Sequence, residues 1–240
     1  MKKNVELPEW EDVLSSAARL QQFLPEAVLV GGTASSIYAD HRLSCDADHV
    51  LTNLKEHFDE VLAQLESVAG WQTARTKRPV LILGSLDGIE TGVRQLIRKE
   101  PLEKTQKKCQ GQLITVPTDQ EILRIKGILI LTRNATRDYL DFVALADYVG
   151  DEKVCTALQS FDRLYQQANG ESPLQQLIAQ LANAIPYDLE ETDLSEYKNL
   201  NPKWHDWNVV KKYCSNLTSI IFDSVASIEK DPDDSPGMGM

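Results

Sequence analysis

The sequence predicts an α/β core, a mixed sheet flanked by helices, followed by an all-helical domain, and three observations carry that expectation. The short apolar run Ala27, Val28, Leu29, Val30 breaks at Gly31-Gly32, as a buried strand does on entering a turn. Residues 80–83 and 89–97 are extended in character and are separated by a Gly- and Asp-containing turn, the pattern of a hairpin. After Pro117 the apolar period becomes helical and stays so for the next hundred residues.

Taken in order, Trp10, Val13, Leu14, Ala17 and Leu24 repeat at helical spacing, so the chain opens with an amphipathic helix that ends near Pro25. The strand of residues 27–30 leads through the glycine pair into a helix over 33–38, and residues 44–51 read as a second strand. Leu54, Phe58, Val61, Leu62 and Leu65 mark another helix. Residues 80–83 are a strand, 84–88 a turn and 89–97 the returning strand, and 113–116 form one more. Thr118 and Glu121 have the spacing of a capping box ahead of an apolar helix over 122–131. Helices continue over 139–149, 154–165, 174–185 and 207–228, with a polar, acidic loop over 186–202 that carries Tyr187, Leu189, Leu194, Tyr197 and Leu200. The last eleven residues hold two prolines, two glycines and three aspartates, a composition that does not fold by itself. The expected organisation is therefore residues 1–116 as the α/β core, 117–229 as the helical domain and 230–240 as a disordered tail.

Composition narrows the class of function. No apolar run approaches the roughly 18 residues of a membrane-spanning helix, and Met1-Lys2-Lys3-Asn4 is followed by an acidic stretch from Glu6 to Asp12 in place of an apolar signal core, so a cytoplasmic location and no membrane partner are expected. Cys45, Cys109, Cys155 and Cys214 are far apart, which suits reduced thiols and neither a zinc site nor a disulfide framework. A net charge of −11 argues against nucleic-acid binding by the whole surface. Between Ala74 and Lys108, however, nine basic and four acidic side chains give +5 and leave −16 for the rest. That segment is either a surface for a phosphate-bearing substrate or a strand edge kept soluble by charge.

Asp46-Ala47-Asp48 carries the chemistry. Residues i and i+2 of a strand project from one face, and two carboxylates there repel unless a cation lies between them. Magnesium, or manganese, suits such a pair because it takes one or two carboxylates plus substrate phosphate oxygens. A solvent-facing acidic pair on an edge strand is the alternative. Gly31-Gly32 opens a helix whose free N–H groups and dipole favour an anion, and Thr33 adds a hydroxyl. A phosphate turn followed by a metal strand is equipment for phosphoryl or nucleotidyl transfer.

An apolar residue, Gly-Gly, thirteen residues and Asp-apolar-Asp resemble the signature of the polymerase-β-type nucleotidyltransferase superfamily. The string Val30-Gly31-Gly32-Thr33-Ala34, then His41-Arg42-Leu43-Ser44-Cys45-Asp46-Ala47-Asp48, is similar to its AbiEii branch, which includes toxins of type IV toxin–antitoxin systems. Lys126, Arg133 and Arg137-Asp138-Tyr139-Leu140-Asp141 are similar to that family's helical motifs. The resemblance implies an NTP as donor, an RNA or protein hydroxyl as acceptor, and an antitoxin protein as partner. It also implies that Lys126 grips a nucleotide phosphate; a structural salt bridge is the other reading of a lysine among apolar neighbours. Arg42 either reaches a phosphate or orients the carboxylates, Arg137 and Asp141 are spaced to pair with each other, and His41 and His49 lack metal-ligand spacing. Trp71, Trp204 and Trp207 are either partner anchors or core.

Members of that family place a third carboxylate on a later strand, where it can act as base for the attacking hydroxyl. On the strand of residues 92–97, Gln95 takes that place in the sequence reading. Glu90 is then the substitute acid, because Asp87-Gly88 reads as the hairpin turn. The expected site is Asp46, Asp48 and Glu90 as catalytic carboxylates, Asp46 and Asp48 as metal ligands, and Gly31, Gly32, Thr33, Arg42 and Lys126 as nucleotide ligands. A member of the fold that has lost its third acid, binding nucleotide or partner without catalysis, is the alternative.

Overall fold

The computed structural model of the protein describes residues 7–230, with side chains described up to residue 224; residues 231–240 of the expected tail lie outside the described residues. Contacts divide the chain into two compact units. One holds the residues up to Ile122 together with Asp193–His205, and the other holds Leu123–Thr192 and the residues from Asp206 onward. The sequence reading drew a single boundary at 116/117. The contacts instead return a stretch of the acidic loop to the sheet-bearing unit.

The first unit is built from α1 (Trp10–Phe23), β1 (Val28–Leu29), α2 (Gly31–Ala39), β2 (Asp46–Leu51), α3 (Phe58–Glu66), β3 (Trp71–Lys77), β4 (Leu81–Leu86), β5 (Ile89–Gln95), β6 (Lys104–Cys109) and β7 (Gln112–Pro117). Five strands form one mixed sheet in the order β1-β2-β5-β4-β3. β2 and β5 are parallel, and the other pairs are antiparallel. β6 and β7 make a separate hairpin, seated on α1 through the Gln21 side chain. Its amide donates to Thr115 O and accepts from Thr115 N, both at 2.8 Å.

One face of the sheet is sealed. Leu51, Trp71, Ile82, Leu86 and Val93 pack against Leu20 and Leu24 of the N-terminal region and Phe58, Val61 and Leu65 of α3. The apolar spacing of α1 puts Val13, Leu14, Ala17 and Leu20 on one buried stripe. β2 alternates in burial along its length, with Ala47, His49 and Leu51 inward and Asp46, Asp48 and Val50 on the opposite, more open face.

In the second unit, α4 (Asp119–Arg133) continues into a helical array of α5 (Thr136–Val149), α6 (Asp151–Leu158), α7 (Phe161–Leu164), α8 (Pro173–Ala182) and α9 (Trp207–Lys230). α9 packs on α5, α6 and α8, and Trp207 meets Tyr139 edge-on at 5.9 Å between centroids. Trp71 and Trp204 are buried, so these indoles serve packing. The capping box is half formed. Thr118 Oγ1 accepts from Glu121 N at 3.2 Å. The Glu121 carboxylate is taken instead by Arg98 at 2.8 Å, with both side chains almost fully buried.

Two strands escaped the sequence reading. β3 is an edge strand exposed along six of its seven residues, and β6 is polar and alternates only between exposed and half-buried. Neither offers the apolar alternation that marks a strand in sequence. β4 also runs on through Gly84 to Leu86, leaving Asp87-Gly88 as the turn, both with positive φ.

Gly92 of β5 has no room for a side chain: a Cβ there lies 2.6 Å from Leu83 Cδ2 and 2.8 Å from Ile82 O. Gly92→Ala is expected to cost about 1–3 kcal/mol through overpacking, measured by urea denaturation. An unchanged midpoint would show that β4 and β5 can spread without loss.

Candidate active site

The site is built where β1 hands over to α2. Val30 is extended and Gly31 has φ +74°, a left-handed value that glycine adopts without steric cost. The turn is bound to the second strand, with Val30 N donating to Asp48 O at 2.8 Å. Thr33 is fully buried, and its hydroxyl donates to the Asp46 carbonyl at 2.5 Å. Thr33 thus holds β2 against the turn, and its hydroxyl does not face outward as a phosphate donor.

Gly32 is required by crowding. A Cβ there lies 2.6 Å from Arg42 Nη2 and 2.7 Å from Ser44 Oγ, so the missing side chain lets the buried Arg42 guanidinium come close to the start of α2. Three further contacts hold the loop before β2. Ser36 Oγ donates to Arg42 O at 2.6 Å, Leu43 N to Lys198 O at 2.8 Å, and Asn201 N to His41 O at 2.7 Å. The Arg42 guanidinium lies over the Tyr197 ring at 5.5 Å. Segment Asp193–His205, read in sequence as acidic loop, therefore buttresses the site. Backbone contacts across more than 150 positions leave no local signal in the sequence.

Asp46 and Asp48 project from the same face of β2, both half-buried. Ser44 Oγ donates to Asp46 Oδ1 at 2.6 Å, which fixes that carboxylate, and the Asp48 carboxylate lies 3.9 Å from Arg94 Nε. The parallel register places Glu90 opposite Asp46, Gly92 opposite Asp48 and Arg94 opposite Val50. Glu90, Gly92 and Arg94 share the face of the acidic pair by the two-residue period.

Gln95 requires a correction. It stands opposite Leu51 and so belongs to the other face. Its amide donates to Thr52 O at 2.7 Å and accepts from Lys55 N at 2.8 Å, closing the loop after β2. It does not stand where a third acid would; Glu90 has the correct phase. Arg94, absent from the expected site, was legible by the same count of two from Glu90.

Two carboxylates on one open face are a donor set that fits a magnesium or manganese ion sharing phosphate oxygens. Among the described residues no three His, Cys, Asp or Glu side chains converge as a ready-made metal cluster. Asp46, Asp48 and Glu90 are thus brought onto one face without forming a closed cage.

The helical motif has a different role within the second unit. Lys126 is 2% exposed, with Nζ 2.6 Å from Asp141 and 3.8 Å from Asp138. Asp138 also receives Arg133 at 2.6 and 3.1 Å. Arg137 is exposed, and the carboxylate four residues on, Asp141, pairs with Lys126. Of the two readings of Lys126, the internal salt bridge is the one formed. His49 is fully buried on the core face of β2, and burial lowers its pKa to about 4, against the opposing influence of the Ala47 and Ala17 backbone. All four cysteines are free.

Parallel strands β2 and β5 thus carry carboxylates on one face of a mixed sheet, beside a glycine turn that opens a helix, and the fold of that sheet and its helices is also found in a solved structure. A solved structure from H. pylori, named as a nucleotidyltransferase, shares this fold over 91% of the present chain and 96% of its own, with TM-score 0.54 and 14% identity. That likeness shows the fold: a mixed sheet flanked by helices and followed by further helices, as in that nucleotidyltransferase structure. No protein-family model matches the chain. By sequence, the heme uptake protein MmpL11 of Mycobacterium tuberculosis is 30% identical over 223 residues, 85% of this chain and 22% of that protein. The mycolic acid-containing lipids exporter MmpL11 of Mycolicibacterium smegmatis is 31% identical over 123 residues, 50% of this chain and 12% of that one. The chain spans about a fifth or less of the length of these relatives. No helix among the described residues is long and apolar enough to cross a membrane.

Lys126→Met should leave the buried Asp141 carboxylate without this cation, Asp138 keeping Arg133, and cost about 3–5 kcal/mol, read from urea denaturation; a lysine needed only for nucleotide would leave stability unchanged. For His49 the folded pKa lies below the unfolded one. Its contribution to stability is therefore complete above about pH 6.5 and is lost as pH falls toward about 4, a change of roughly 3 kcal/mol. His49→Leu should flatten that part of the pH–stability profile, and an equally steep profile in the variant would discard the assignment.

Proposed function

We propose that the chain is a metal-dependent nucleotidyltransferase that moves a nucleoside monophosphate from an NTP to a hydroxyl of an RNA or protein acceptor. The observation that carries this is the placement of Asp46, Asp48 and Glu90 on one face of the parallel β2–β5 pair, beside the Gly31-Gly32 turn at the start of α2. In this reading the N–H groups of the turn receive triphosphate oxygens, with Arg42 close behind Gly32. Asp46, held by Ser44, and Asp48 hold magnesium or manganese, which neutralises charge on the phosphates. The acceptor oxygen bonds to the α-phosphorus, the bond to the departing pyrophosphate breaks, and Glu90 takes the hydroxyl proton. Thr33 acts by positioning β2. The AbiEii-like motif over Val30–Ala34 and His41–Asp48 supports the finer assignment to a toxin with an antitoxin partner.

Arg94 supports a second reading. A guanidinium beside Asp48 supplies part of the charge a metal would, which favours a member of the fold that binds nucleotide without transferring it.

Incubation with each labelled NTP, magnesium and total cellular RNA or protein separates these readings. Labelling is expected, lost on adding EDTA, reduced at least about 100-fold by Asp46→Ala with Asp48→Ala, and slowed about 10²–10⁴-fold by Glu90→Gln. Label transfer that survives the double substitution would remove the assigned site. NTP–magnesium binding by calorimetry with no transfer to any acceptor establishes the second reading.

A further inference from the structure

The basic stretch from Ala74 to Lys108 is sorted by the fold. Arg78 pairs with Asp59, Arg98 with Glu121 and Lys104 with Glu26, while Lys107 sits over the Tyr38 ring at 4.5 Å. These four are used in holding the structure. Arg75, Lys77, Lys99 and Lys108, all exposed, have no ion-pair partner among the described residues. Lys99 follows β5 and Lys108 lies on β6, off the five-stranded sheet, and Arg94 meets Asp48 at 3.9 Å.

Sheet register puts Arg75, Lys77 and Arg94 together. Lys77 pairs with Leu81, which pairs with Arg94; Arg75 pairs with Leu83, which pairs with Gly92, which pairs with Asp48. Directly paired residues point to one side of a sheet. Trp71, Ile82 and Val93, of opposite phase, are the sealed face, so Arg75, Lys77 and Arg94 share the open face with the acidic pair. The charge on that face is divided. Carboxylates lie on β2 and at the start of β5, cations lie from the end of β5 across to the β3 edge, and half-buried Leu81 and Leu83 lie between the cations. Three strand spacings separate Asp48 from Arg75, about 14 Å. The bulge between Thr73 and Arg75 sets the phase: it shifts the pairing by one, so that Arg75 and Lys77 face the carboxylates.

We propose that this open face is the acceptor track, and that the acceptor is a single-stranded RNA. Its phosphates lie on Lys77, Arg75 and Arg94, its unstacked bases rest over Leu81 and Leu83, and its reactive end is delivered to Asp46 and Asp48. Two unpaired cations, Arg75 and Lys77, in line with Arg94, whose only carboxylate contact among the described residues is Asp48 at 3.9 Å, on a chain of net charge −11, select a polyanion. The apolar floor between them suits exposed bases better than a duplex. The inference names the acceptor of the proposed transferase and rests on that reading, but binding along the track needs no catalysis.

The test uses the full chain and a 5′-fluorescein-labelled 12-nucleotide RNA of mixed sequence, without NTP or metal, followed by fluorescence anisotropy across a salt series. Three phosphate contacts give a slope of log affinity on log salt of about −2, at roughly −0.7 for each. Arg75→Glu with Lys77→Glu should lose at least tenfold in affinity and flatten the slope toward −0.7. Arg75→Gln with Lys77→Gln should lose less. Lys211→Glu with Lys212→Glu, exposed on α9, should stay within twofold. Thermal melts by circular dichroism verify that each variant is folded. Equal affinity in the β3 double variants, an equal loss in the α9 control, or no binding by the wild type overturns the track. Equal binding of a labelled acidic polypeptide of matched charge assigns the face to a protein and overturns the RNA reading. NTP–magnesium titrations on the same samples keep the two claims apart. No NTP binding with RNA binding retained removes the transferase reading while sustaining the track.

Discussion

The parallel pairing of β2 with β5 is the constraint on which the site depends. β2 supplies the acidic pair, yet nothing within it says what the carboxylates face. The register does so, setting Glu90 against Asp46, a bare glycine against Asp48 and Arg94 one step further. A slip of one residue would carry Glu90 and Arg94 to the sealed face and turn Thr91 and Val93 outward. Val93 is fully buried, and the Thr91 hydroxyl donates to Ala47 O. The hydrophobic core therefore fixes the chemistry: the energy that keeps Val93, Ile82 and Leu51 out of water also keeps Glu90 beside Asp46.

Around that pairing, small residues do the placing. Gly31 reverses the chain at φ +74°, Gly32 makes way for Arg42 and Ser44, and Gly92 makes way for Leu83. The polar groups nearest the carboxylates are then spent on holding them. Thr33 binds the backbone of Asp46 and Ser44 binds its side chain, while Ser36 and Lys198 hold the loop between turn and strand. Such a site is preorganised before any ligand arrives, as the transfer chemistry proposed for it would require.

The fold class and the acidic pair were legible because they are written in local periods. Alternation along β2 and the glycines after residues 27–30 are readable within ten residues. What failed was phase and distance. Gln95 was given the face of the acidic pair, although counting by two from Val93 puts it among the inward positions and Glu90 outward. The strands β3 and β6 were missed because an exposed edge needs no apolar residues. The support given by Lys198 and Asn201 rests on backbone bonds across more than 150 positions, and no sequence pattern records those. Lys126 falls between these cases. Its need for an anion was plain from its apolar neighbours, but whether a carboxylate or a phosphate met that need required the structure, which supplies Asp141 and Asp138.

The open face also explains how an acidic chain can keep a basic segment of +5. Four of that segment's nine basic residues are taken up where it forms: Arg78, Arg98 and Lys104 each meet a carboxylate, and Lys107 meets an aromatic ring. Of the cations left over, Lys99 and Lys108 lie off the five-stranded sheet, and the other three are gathered on one face. A β-bulge in β3 sets two of them in phase with the third, on the side that carries Asp46 and Asp48. Edge protection by charge alone would be served equally well by either phase of β3, since both faces of that strand are exposed. Alignment with the carboxylates is the property that edge protection does not require and that a polyanionic acceptor does.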